Sequence, residues 1–148
     1  MSEQAEGGCF CGAVRYRVEG RPLDAGYCHC RMCQRSVGAP AVAWGTWPEA
    51  RFAWLGGTTA ELRSSAEGVR RFCGRCGTHV QFWTAAAPAL VDVNLATLDQ
   101  PGAFQPDYHI WTVSRIPWFE TADTLPRYLD AGADARTMQA YGEDAERD

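Results

Sequence analysis

Seven cysteines in three tight clusters constrain this chain more than any other feature: Cys9 and Cys11, then Cys28, Cys30 and Cys33, then Cys73 and Cys76. An odd number cannot pair fully into disulfides. Cysteines two apart on an extended strand point to opposite faces, so Cys9-Phe10-Cys11 suits a turn wrapped around an ion better than a bridge. A chain of 148 residues also has no need of disulfides, since one core of that size buries about two thirds of the unfolded surface. The cysteines therefore read as metal ligands.

Cys73-Gly74-Arg75-Cys76-Gly77 has the form of a zinc knuckle, in which glycines let the backbone turn tightly and aim amide N–H groups at sulfur. Cys9-Phe10-Cys11-Gly12 carries the same trailing glycine. Together Cys9, Cys11, Cys73 and Cys76 make the closed tetrahedral set of a structural zinc. Cys28, Cys30 and Cys33 are left with no fourth cysteine, and three protein ligands with an open position is the pattern of a catalytic zinc. The chain is thus expected to hold two Zn2+ ions. His29, His79 and His109 are the candidates for a fourth ligand, with His29 expected to point away from the metal between its neighbours. His109 sits in an apolar stretch that suits a hydrogen-bonded histidine.

Fourteen basic against 18 acidic side chains, a net charge of −4 and no Lys/Arg tract argue against nucleic-acid binding. No apolar run reaches the roughly 20 residues of a bilayer span. The first residues show neither the positive start nor the apolar stretch of a signal peptide, so a cytoplasmic setting that keeps thiols reduced is expected. Residues 7–130 read as one domain, and the Ala- and charge-rich residues 131–148 as a loosely docked or disordered tail.

Short β-branched and aromatic runs predict eight strands: Ala13–Val18, Ala41–Trp47, Arg51–Leu55, Thr59–Arg63, Val69–Phe72, Val80–Trp83, Leu90–Leu95 and Tyr108–Val113. The expected fold is mostly β and antiparallel. Val14, Tyr16 and Val18 alternate with Arg15 and Arg17, which puts the apolar three on one face. Helical signals are weak: a turn or two within Asp24–Gly38, and a short helix that Asp123 would cap. Most of the six tryptophans are expected in or near the core.

Three segments in this order carry a resemblance: Gly8-Cys9-Phe10-Cys11-Gly12-Ala13-Val14-Arg15-Tyr16, then Cys28-His29-Cys30-Arg31-Met32-Cys33 with Arg35 and Gly38, then Phe72-Cys73-Gly74-Arg75-Cys76-Gly77-Thr78. Asn94-Leu95-Ala96-Thr97-Leu98-Asp99 and Pro117-Trp118-Phe119 extend it toward the C-terminal half. With these the chain resembles the glutathione-dependent formaldehyde-activating enzymes, whose domain also occurs in centromere protein V. The resemblance implies a zinc-stabilised Mss4-like β fold, with a structural zinc on Cys9, Cys11, Cys73 and Cys76 and a catalytic one on Cys28, Cys30 and Cys33. It also implies condensation of formaldehyde with glutathione, formally a carbon–sulfur lyase reaction run in reverse. Gln34-Arg35 stands where the family often has two arginines, and His79 where it often has an apolar residue.

On that reading Arg31, Arg35 and Arg75 are candidates to bind the carboxylates of a small thiol such as glutathione, because guanidinium pairs with them bidentately. Backbone N–H groups of the Ser36–Gly38 turn, or an arginine, are candidates to steady the carbonyl oxygen. The rival reading is a non-enzymatic zinc scaffold that presents a surface to a protein partner.

Overall fold

The computed structural model describes residues 3–131. In chain order its elements are β1 (Gln4–Gly8), β2 (Arg15–Glu19), β3 (Asp24–Cys28), α1 (Arg31–Val37), β4 (Val42–Pro48), β5 (Phe52–Gly56), β6 (Thr59–Arg63), β7 (Gly68–Cys73), β8 (His79–Thr84), β9 (Leu90–Asn94) and β10 (His109–Ile110). They form two sheets, one in the order β1-β2-β5 and one in the order β10-β3-β4-β9-β8-β7-β6. The mostly β, antiparallel expectation is met, with one exception: β10 runs parallel to β3.

The sheets meet across a shared core. Tyr16 and Val18 of the smaller sheet pack with Ala25, Trp47, Val80, Val91 and Val93 of the larger, and Leu95, Leu98 and Phe104 close the edge. Val14, Tyr16 and Val18 have no exposed surface while Arg15 and Arg17 are half-buried, the alternation that the sequence predicts. Burial of large side chains such as these contributes about 2–3 kcal/mol each. The buried Trp47 also satisfies its indole N–H on the Gly20 carbonyl at 3.0 Å. Between the sheets Gly7 lies so close to Tyr16 that an added Cβ would sit 2.5 Å from the phenol oxygen and from the Thr97 carbonyl.

Several expectations are corrected. β1 was absent from the predicted strands, and Asp24–Cys28 is a strand rather than part of a broken helix. Held between β4 and β10, it gains backbone partners on both edges, and these outweigh weak local preference. Only Arg31–Val37 of the helical stretch is helix. Tyr108–Val113 shrinks to two strand residues because Trp111 adopts a left-handed backbone at φ 58° and leads into a 3-10 turn over Thr112–Ser114.

Asp123 caps no helix; its carboxylate accepts from the Leu125 amide and the His109 ring within irregular chain. Of the tryptophans, Trp44 and Trp47 are buried, whereas Trp54 and Trp118 are exposed. The expected tail lies outside the described residues, apart from Ala131.

Candidate metal centres

Two groups of cysteines gather their sulfurs within 4.8 Å of one another: Cys9, Cys11, Cys73 and Cys76; and Cys28, Cys30 and Cys33. All seven are unpaired thiols. The partition read from ligand counting is therefore the one that the fold assembles, and both groups can hold a metal ion. Among the described residues no histidine joins either group.

The four-cysteine group joins the two sheets. Cys9 and Cys11 sit in the turn after β1, closed by a Gly12 N–H to Cys9 carbonyl bond of 3.1 Å, with Gly12 at φ 81°. Cys73 ends β7, and Gly77, at φ 86°, closes the second turn by donating to the Cys73 carbonyl at 2.8 Å. Cys9 and Cys11 sulfurs are 3.6 Å apart, and Cys11 and Cys73 sulfurs 3.8 Å apart.

Amides are aimed at these sulfurs: Val14 N–H at Cys9 Sγ (3.2 Å), and the N–H groups of Arg75 and Cys76 at Cys73 Sγ (3.3 and 3.4 Å). Such donors stabilise thiolate over thiol. The Thr78 hydroxyl, followed by its backbone, draws the Cys76 thiol down to about 5. Burial opposes ionisation of Cys9, yet the Val14 N–H and the neighbouring thiols outweigh it and lower its pKa. Four sulfurs in a donor-lined cage are the donor set of a closed structural site.

The three-cysteine group is built on the junction of β3 and α1. Cys28 ends the strand, Cys30 is the N-cap of the helix, and its Sγ accepts from the Cys33 N–H at 3.3 Å. Gln34 pins this junction: its buried amide donates to the His29 carbonyl (2.7 Å) and the Ser114 carbonyl (3.1 Å). Trp44, Tyr108 and Ile110 pack beneath Cys28. Hydrogen bonds from Cys28 and Cys33 hold the Cys30 thiol far below its ordinary range. The same sharing with Cys30 raises Cys28 well above it. The three thiols thus share their hydrogen bonds unequally, with Cys30 favoured as the thiolate, the form that a metal ligand takes.

On the opposite face from Cys28, His29 Nε2 lies 2.8 Å from His109 Nδ1, and His109 Nε2 lies 3.0 Å from the Asp123 carboxylate. The carboxylate can only accept, so His109 donates through Nε2 and accepts at Nδ1 from the His29 Nε2–H. His29 Nδ1 is left buried without a partner. His29 turns away from the cysteines and His109 is hydrogen-bonded, as expected. His79 stacks on Phe72 with ring centroids 5.1 Å apart.

The candidate arginines are scattered rather than gathered. Arg31 is exposed and spends Nη1 on Gln34 Oε1 at 2.6 Å; Arg35 is exposed on the same helix; Arg75 is exposed on the four-cysteine turn. The Ser36–Gly38 turn offers no free pair of amides, because Ser36 and Val37 lie within α1 and Gly38 N–H donates to the Gln34 carbonyl at 2.8 Å.

The arginine that does reach the three-cysteine group is one that the sequence reading passed over. Arg70 of β7, only 9% exposed, places Nη1 3.8 Å from Cys33 Sγ. Val69-Arg70-Arg71-Phe72 does not alternate apolar and polar residues, so no pattern in the sequence marks this arginine.

No helix among the described residues is long and apolar enough to cross a membrane. A Halomonas elongata protein named "Putative glutathione-dependent formaldehyde-activating enzyme" is 27% identical over 124 residues, covering 78% of this chain and 79% of that one. A crystal structure of a Rhodobacter sphaeroides protein, 20% identical, shares the fold with a TM-score of 0.54 over 83% of this chain and 98% of its own. Residues 4–114, well over half of the chain, match the family described as "Glutathione-dependent formaldehyde-activating enzyme", and the protein belongs to that family.

Proposed function

We propose that this protein is a zinc enzyme of the carbon–sulfur lyase type, in which a small thiol such as glutathione adds to formaldehyde or a related carbonyl. The observation that carries this reading is the difference between the two cysteine groups: four sulfurs close one site, while three leave a coordination position free for an external ligand. Zinc on Cys28, Cys30 and Cys33 supplies the positive charge that keeps a bound thiol ionised near neutral pH.

The chain's own residues hold that site in place. Gln34 fixes the loop between the ligands, and Trp44, Tyr108 and Ile110 exclude water from beneath Cys28. In the reaction the thiol sulfur bonds to the carbonyl carbon, the carbon–oxygen double bond becomes single, and the thiol proton ends on the oxygen. Seven unpaired cysteines support a reducing, cytoplasmic setting for this chemistry.

Metal analysis tests the count and a glutathione titration tests the substrate. The expected results are two zinc ions per chain, a changed absorption spectrum when glutathione is added to the cobalt-substituted protein, and glutathione-dependent consumption of formaldehyde followed by NMR. Two ions without any response to glutathione favour the zinc scaffold instead.

A further inference from the structure

Arg70 is a buried cation beside the three-cysteine group. Its Nε donates to Ser64 Oγ at 3.0 Å and its guanidinium lies 4.9 Å from the centre of the Phe82 ring. Its neighbour Arg71 faces the other way and has conventional partners, Glu61 Oε2 at 2.9 Å and Gln81 Oε1 at 2.6 Å. A nearby negative charge offsets the desolvation of a buried guanidinium. The Cys33 sulfur lies 3.8 Å from Arg70 Nη1, and that sulfur carries negative charge once it ligates a metal ion.

We infer that Arg70 is the counter-cation of the three-cysteine site and makes its open position select an anionic ligand. This rests on the metal reading of Cys28, Cys30 and Cys33. Three thiolates around a divalent ion already carry one excess negative charge, so a fourth thiolate brings the excess to two in a partly buried setting. The fixed charge of Arg70 offsets that cost for a thiolate and gives a neutral ligand no such help. Ser64 and Phe82 hold the guanidinium in place before any ligand arrives, so the selectivity is built into the fold.

The test uses the full-length protein loaded with cobalt, titrated separately with 2-mercaptoethanol and with imidazole at one pH while visible absorption is followed. In Arg70→Gln the thiol affinity is expected to fall about tenfold or more, as removal of a nearby unit charge requires, with imidazole affinity almost unchanged. Arg70→Lys should keep most of the preference, and Arg71→Gln all of it. Equal thiol affinity in wild type and Arg70→Gln overturns the inference, and so does a parallel loss of thiol and imidazole binding, which marks a merely structural role. Should Arg70→Gln fail to fold, Ser64→Ala, which frees the Nε anchor, reads the same ratio, and an unchanged ratio there overturns it. Wild-type protein that binds one cobalt removes the metal reading itself; two cobalts with an unaltered ratio remove only the role of Arg70.

Discussion

At the scale of single residues, burial and a short chain of hydrogen bonds decide protonation. The Asp123 carboxylate orders His109, and His109 orders His29. Asp123→Ala removes the first acceptor and should cost about 1–3 kcal/mol of stability in urea unfolding. The same change should let the His109 ring exchange tautomers, visible in its ring 15N shifts; an unchanged pattern contradicts the chain. Burial first, and then the neighbouring His109, lowers His29 from 6.5 to about 4. An unfolded histidine takes up its proton near 6.5, so the full contribution of His29 to stability is present above that pH and is lost as the pH falls toward 4. NMR titration should find His29 neutral at pH 6; a transition near its ordinary value sinks this assignment. The histidines were legible as residues of interest, but no spacing rule links positions 29, 109 and 123.

At the scale of elements, the junction of β3 and α1 is the unit that makes the three-cysteine site. The helix stops because Gly38 adopts φ 70° and donates back to the Gln34 carbonyl, which also keeps Gln34 in place. A Cβ at Gly38 would meet nothing within 4 Å, so Gly38→Ala isolates backbone strain. It should cost about 1 kcal/mol in thermal unfolding and weaken metal binding at the three-cysteine site more than at the other. Equal weakening at both sites would refute the local role of α1. Alternation in Val14–Val18 made β2 readable, since one face of it is buried and the other is not. β3 escaped because it is covered by partners on both edges, and Asp24-Ala25-Gly26-Tyr27-Cys28 lacks the β-branched residues that signal a strand.

At the scale of the whole molecule, the four-cysteine group bridges two sheets that also meet through the core, and through links such as the Tyr16–Thr97 hydroxyl bond of 2.7 Å and the Arg15–Asp99 ion pair. Its cysteines come from the turn after β1 in the smaller sheet and from β7 and the turn after it in the larger. Loss of metal there removes folding energy directly. Cys73→Ser should therefore abolish cooperative thermal unfolding, whereas Cys30→Ser should leave a folded chain with one metal and no turnover. Circular dichroism with metal analysis checks both; equal damage from the two substitutions contradicts the division of labour.

The sequence alone determined how the cysteines divide into two groups, because clustered thiols in short turns declare themselves by spacing, and the antiparallel β character, because alternation reflects a half-covered sheet. Tertiary structure decided what surrounds those ligands. Arg70 is 37 positions from Cys33 in the chain and reaches it only because the fold brings the two segments together. Arg31, Arg35 and Arg75, close to the cysteines in sequence, lie exposed around them. Local chemistry fixes which atoms can bind a metal; only packing fixes which charge is buried beside it, since burial depends on contacts between distant segments.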